Sequence, residues 1–420
     1  MVVGALMLFA ACAQSNDITP ARSFVINDTG QGVFYDEFTQ AETPGAGEEF
    51  FGQDAQYSTN EMQFEDNEDG TVTDLHTGLM WQQAVGEKMG WERAMAGAQD
   101  FDLAGHDDWR MPTVKELYSL LDFSGEDPTG FNGADPSKLT PFIDTDFFAF
   151  AYGDTSAGEA LTDAQYATAT KYIGSSNGEQ FAAFGVNFAD GRVKGYGLRT
   201  LSGEAKQFFI KYVRGNSDYG NNQFVDNGDG TVTDTATGLM WLKADSGAIG
   251  AGENDDGLLD WQQALGFAEG FEFAGYDDWK LPDAKELQSI VDYSRSPQSS
   301  GSAAISEIFE STPITDSKGD ENFGYYWTST THVNAVFGGD NAVYISFGDA
   351  QGLLTKGIEP DCACPTEDPN VPYPLVDLHG AGAQRTDPKV GNPDNFPYGR
   401  YLQSEIVRVY NLVRLVRVAQ

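Results

Sequence analysis

The sequence predicts an α+β protein built from two homologous domains in tandem, each holding two helices and a mainly antiparallel sheet. Two repeated blocks and one periodicity lead there. Residues 64–81 (FEDNEDGTVTDLHTGLMW) and 224–241 (FVDNGDGTVTDTATGLMW) agree at 14 of 18 positions. A second block, Ala104–Leu117 (AGHDDWRMPTVKEL), is answered by Ala274–Leu287 (AGYDDWKLPDAKEL). In both copies strand-like alternation gives way to helical spacing and then returns. The offset between copies grows from 160 to 170 residues, which places a ten-residue insertion in the second copy, in the Gly/Asp-rich stretch 246–257. A loop there absorbs it at small entropic cost. A unit of about 160 residues is long enough to bury its own core, unlike the short units of a solenoid.

Taken in order, residues 1–12 read as a signal segment and 13–21 as a polar tether. The first domain spans 22–215 and opens on a strand at Phe24–Gln31, where apolar and polar side chains alternate before a turn. Phe64 and Glu65, a turn over 67–70 and Thr71–Thr73 form a β-hairpin, its Asp and Gly residues suiting the positive φ such turns demand. In Trp91–Phe101 and Trp261–Phe271, apolar side chains fall at i, i+3, i+4 and i+7, the spacing of an amphipathic helix. Pro112–Leu121 and Pro282–Val291 are second helices, each with proline at the first helical position. Strands follow at 171–176 and 184–188 in one copy, and at 325–330 and 341–347 in the other. The domains close on strands at 208–214 and 406–417. The second domain, 216–420, carries a Pro/Gly-rich insertion over about 357–399, expected as a surface excursion.

Composition narrows the function. The 420 residues hold 64 acidic and 25 basic side chains, for a net charge of −39. Nucleic acid is excluded as a partner, because a polyanion gains no counterion-release energy from a carboxylate-rich surface. The start, Met1–Cys12, is an apolar run of signal-peptide length that ends in small residues and a cysteine, and it is too short to span a bilayer. It resembles a lipoprotein signal, with Cys12 as the acylated residue and outer-membrane attachment favoured by Ala13. An ordinary secretory signal, leaving a secreted or periplasmic protein, is the alternative. Cys362 and Cys364 form a C-x-C pair, a local disulfide or two loop thiols, and the four scattered histidines complete no zinc pattern.

Two sets of residues, each present in both copies, are candidates for binding. Asp66, Asn67, Asp69 and Asp74, with their counterparts Asp226, Asn227, Asp229 and Asp234, cluster hard oxygen ligands of the kind calcium takes, in a string that equally suits a plain tight turn. Asp107, Asp108 and Trp109, with Asp277, Asp278 and Trp279, could form a carbohydrate site in which Trp stacks on sugar CH faces and carboxylates accept hydroxyl hydrogens. The same residues also suit a helix cap beside a core Trp. No catalytic Ser-His-Asp, Cys-His, phosphate-loop or dinucleotide pattern stands out, so no catalytic residue is assigned.

The phrases FxDNxDGTVTDxxTGLMW, AGxDDW[RK][ML]PxxKEL and YWTST and the final VRLVR resemble the Legionella collagen-like protein C-terminal domain family, in both copies and over nearly the whole chain from residue 22. The resemblance implies a fold related to C-type-lectin-like and formylglycine-generating-enzyme-like domains, on exported or surface-attached bacterial proteins whose best-described member is an adhesin that binds sulfated glycans. This chain departs from it in having no collagen-like stalk and a strongly acidic surface. Phe34 also stands where the family implies a cysteine. The expectation is a non-enzymatic binding or adhesion module for an extracellular glycan or protein, with no cofactor unless calcium. The alternatives are a structural envelope lipoprotein or a formylglycine-generating-type enzyme.

Overall fold

A computed structural model describes residues 22–133, 135–175, 181–200, 202–316, 319–353, 374–396 and 405–419. Each repeat opens with an antiparallel meander. In the first it runs β1 (Phe64–Asp66), β2 (Thr71–Asp74) and β3 (Leu79–Gln82), closed on its far edge by Val213–Gly215. The second repeats it with Phe224–Asp226, Thr231–Asp234, Leu239–Leu242 and Val416–Val418. Alternation turns Val72, Trp81, Val232 and Trp241 fully inward. The hairpin turn needs a left-handed residue at Gly70 (φ 89°) and Gly230 (φ 90°), and a second at Glu68 (φ 59°) where the other copy has Gly228. Glycine adopts that region without the steric cost Glu68 bears.

The helices are short: α1 (Trp91–Gly97), α2 (Val114–Tyr118), and their counterparts Trp261–Glu269 and Ala284–Ser289. Helices of one or two turns are marginal alone, so tertiary anchors hold them. The indole N–H of Trp91 donates to Thr168 O at 2.8 Å, and that of Trp261 to Thr328 O at 2.8 Å. The expected proline positions are corrected. Pro112 and Pro282 stand just before the N-caps Thr113 and Asp283, whose side chains accept the amides of Glu116 and Glu286 in capping boxes.

The second layer is one six-stranded sheet shared by both repeats. Gln165–Tyr172, Ala182–Asn187 and Arg192–Gly197 come from the first, and Tyr325–Asn334, Gly338–Ser346 and Gln384–Pro388 from the second. They join where Gln384 pairs Val193 antiparallel, and Gly195 N donates to His379 O at 2.6 Å beside them. The expectation of a surface excursion over 357–399 therefore fails at Gln384–Pro388, a strand buried along its length at the centre of the sheet. One hydrophobic core runs across the seam, from Val72, Leu117 and Phe184 to Val232, Leu287 and Val343, and a further cluster packs around Trp91 and Trp109 in the first repeat and another around Trp261 and Trp279 in the second.

The segment 22–60, grouped with the first domain by its place in the chain, touches the first repeat where Phe123 N donates to Thr29 O and Asn27 Nδ2 to Asp74, and also lies along the second. Ser23 N donates to Ala236 O, Phe50 packs on Trp261, Gly339 N donates to Phe38 O, and Lys389 Nζ donates to Asp36 O at 2.9 Å. Among the described residues no helix is long and apolar enough to cross a membrane.

Candidate functional site

The DDW blocks fold as structural corners. Trp109 and Trp279 are buried, and their indole N–H groups donate to Leu103 O (3.2 Å) and Phe273 O (3.3 Å). Neither ring presents a face to a sugar, which removes the stacking expected of them. Asp108 and Asp278 hold the closing strands instead, through two-pronged pairs with Arg214 (2.5 and 3.2 Å) and Arg417 (2.6 and 3.0 Å). Those guanidinium hydrogen bonds keep both carboxyls below the usual range. Asp107 and Asp277 are exposed. The next residue of each block pairs with the capping-box glutamate: Arg110 with Glu116, and Lys280 with Glu286 at 2.7 Å.

The hairpin acids are occupied by their own turns. Asp69 Oδ1 accepts Thr71 N and Oγ1 (3.1 and 2.6 Å), and Asp229 does the same with Thr231 (3.0 and 2.6 Å). Asn67 and Asn227 donate to the two threonines of the next strand, while Asp66 and Asp226 accept from Glu68 N and Gly228 N. Asp74 and Asp234 turn into the core, where they accept Asn27 Nδ2 (2.7 Å) and Asn222 Nδ2 (2.8 Å). The four residues of each hairpin thus do not converge, and among the described residues no group of three or more His, Cys, Asp or Glu could hold a metal ion. Cys12, Cys362 and Cys364 lie outside the described residues.

What the sequence did not single out is the lysine of each KEL phrase. Lys115 Nζ crosses the seam to donate to Ser289 O (2.7 Å), at the end of the other repeat's second helix, and to Asn222 Oδ1 (2.9 Å) and Gly220 O (3.1 Å). Lys285 Nζ crosses back to Ser119 O (3.0 Å), at the end of α2, and to Asp28 O (2.7 Å). Each lysine therefore caps orphan carbonyls of the opposite helix. Burial pushes both ammonium groups down to about 8. The signal for this was the repetition of Lys in both blocks beside a Glu that already had a partner.

Beside Lys115 the two repeats enclose an open cleft of about 460 Å³. Thr113, Lys115 and Thr170 line it from the first repeat, Tyr219 and Asn221 from the linking segment, and Phe224, Asp292, Tyr293 and Ser306 from the second. This size falls in the ~300–1,000 Å³ range of small-ligand sites, which favour domain interfaces. A separate cavity of about 180 Å³ is lined by Lys280, Asp283 and Glu286 of the second repeat and by Ile26, Asn27, Thr59 and Asn60 of the N-terminal segment.

Comparison with known proteins bears on the repeats directly. The Lcl C-terminal domain model matches twice, over residues 70–214 and 230–358. The second match stops short of Gln384–Pro388 and Val416–Val418, the strands that complete that repeat beyond its insertion. No curated protein and no solved structure matches the chain. The chain belongs to the Lcl C-terminal domain family and carries two copies of the domain in tandem.

Proposed function

We propose that this chain is an exported protein of the bacterial cell envelope, attached to the outer membrane through Cys12, whose paired repeats form a non-enzymatic binding module for an extracellular glycan or protein. Family membership supports a secreted or envelope-related setting. The apolar run ending at Cys12 supports the anchor.

The observation that carries the binding reading is the cleft between the repeats. Its walls come from both copies, and the Lys115 and Lys285 crossings hold those walls in place. A preformed site loses little entropy when a ligand arrives. Its lining offers hydroxyls, two amides, one ammonium and one carboxylate, which are groups that orient a ligand by hydrogen bonds.

A glycan array probed with the purified chain, with calcium and with chelator, tests the reading. Saturable binding is expected in both conditions. Blank arrays together with no capture of envelope proteins would favour a structural scaffold. Labelled palmitate should enter the wild type, and incorporation into Cys12→Ala would refute the anchor.

A further inference from the structure

We infer that the cleft takes a non-anionic saccharide unit, neutral or amino-bearing, with Asp292 and Asn221 accepting its hydroxyl or ammonium hydrogens. The inference rests on the glycan branch of the proposed function. Asp292 Oδ1 is held by Ser294 N (2.9 Å) and Ser294 Oγ (2.5 Å), while its Oδ2 has no hydrogen-bond partner among the described residues. Asn221 Nδ2 donates to Ser217 O at 3.3 Å, which fixes the amide and leaves Oδ1 without a partner among the described residues. Two positioned acceptors lining one cleft suit a ring bearing several O–H groups.

Donors are present as well. Thr113 Oγ1 accepts Glu116 N (3.2 Å), Thr170 Oγ1 accepts Val114 N (3.0 Å) and Ser306 Oγ accepts Ile308 N (3.4 Å), so each hydroxyl keeps its hydrogen to give. The rings of Tyr219, Phe224 and Tyr293 supply apolar surface for the CH faces of a pyranose.

Charge decides the class. The cation of the cleft is Lys115, and its three hydrogens already serve Ser289 O, Asn222 Oδ1 and Gly220 O. A sulfate or carboxylate could recruit it only by breaking the contact that ties the repeats together. Asp292 and the net charge of −39 add repulsion. An uncharged or ammonium-bearing sugar meets neither obstacle.

The test is calorimetric titration of the full chain with chitotriose, its de-N-acetylated glucosamine trimer, mannotriose and a heparin hexasaccharide. Three variants accompany it: Ser306→Trp to fill the cleft, Asp292→Asn to turn the free acceptor into a donor, and Asn221→Ala. At least one neutral or amino trisaccharide should bind, Ser306→Trp should weaken it at least tenfold, Asp292→Asn and Asn221→Ala severalfold each, and the heparin fragment should not compete. Should Ser306→Trp fail to fold, the other two variants decide. Binding that is unchanged in all folded variants would overturn the cleft while leaving the binding module standing. Competition by heparin would overturn the ligand class. No trisaccharide binding to the wild type would overturn the inference, and with a blank glycan array it would take the glycan branch of the proposed function with it.

Discussion

Replacing Lys115 by Met keeps an apolar stem of similar length but removes the ammonium that three carbonyl oxygens share across the seam. Leaving buried acceptors unpaired costs about 1–3 kcal/mol each, and water from the adjoining cleft recovers part of that. Against it stands relief of the lysine's own desolvation. Burial lowers its pKa from 10.5 to about 8, which at ~1.4 kcal/mol per unit is roughly 3 kcal/mol, reduced by its partial exposure. The balance is a loss of about 1–3 kcal/mol at pH 7. Urea unfolding should show it as a lower midpoint in one transition, because both repeats share a sheet and a core. The pH dependence sharpens the test. The folded state releases the Lys115 proton near pH 8 and the unfolded state near 10.5, so the wild type gains stability as pH rises through that window. Lys115→Met lacks that gain, and its deficit should widen between pH 8 and 10. An unchanged midpoint at pH 7, or a deficit that narrows with rising pH, would refute the crossing as a structural tie.

Further perturbations probe other buried groups. Burial pushes the Asp54 carboxyl up to about 7 while Thr29 and Thr330 donate to it, so its contribution is present below pH 4 and lost as pH rises through 7. Asp54→Asn keeps an acceptor for both hydroxyls and should raise Tm relative to the wild type at pH 8 but not at pH 4. His332 is stacked on Phe142 at 5.2 Å, and burial, followed by the charge of Arg192, pushes it down to about 4; the wild type therefore loses stability as pH falls from 6.5 towards 4. His332→Gln should flatten that acid limb in urea midpoints measured at pH 6.5 and 4.5. Gly230→Ala puts a Cβ at φ 90° and 2.8 Å from the Phe273 ring, and thermal unfolding should register a loss of at least about 1 kcal/mol.

Local rules made the repeats legible. The Asn-Gly-Asp-Gly turn, the inward Val and Trp of each meander and the Trp-led helices follow from period and turn chemistry that need no partner. The central strands are different. Arg192–Gly197 (RVKGYG) is not among the expected strands, and Gln384–Pro388 (QRTDP) falls within the expected excursion, yet the two pair at the centre of the sheet and are largely buried. Pairing between segments almost 200 residues apart supplies what local propensity lacks. The same distance hid the site. Its walls come from 113–115, 170, 219–224 and 290–306, none of which carries a binding motif alone. The DDW blocks drew notice as binding motifs because their partners, Arg214 and Arg417, stand more than a hundred residues downstream.

Hydrogen–deuterium exchange on the full chain, with and without a glycan or protein that the array or envelope capture identifies, tests the shared cleft most directly. Slowed exchange should concentrate in 113–115, 219–224 and 290–306, segments of both repeats and the link between them, and should be lost together in Ser306→Trp. Protection confined to the 107–109 and 277–279 corners, or to one repeat alone, would contradict a binding site built between the two.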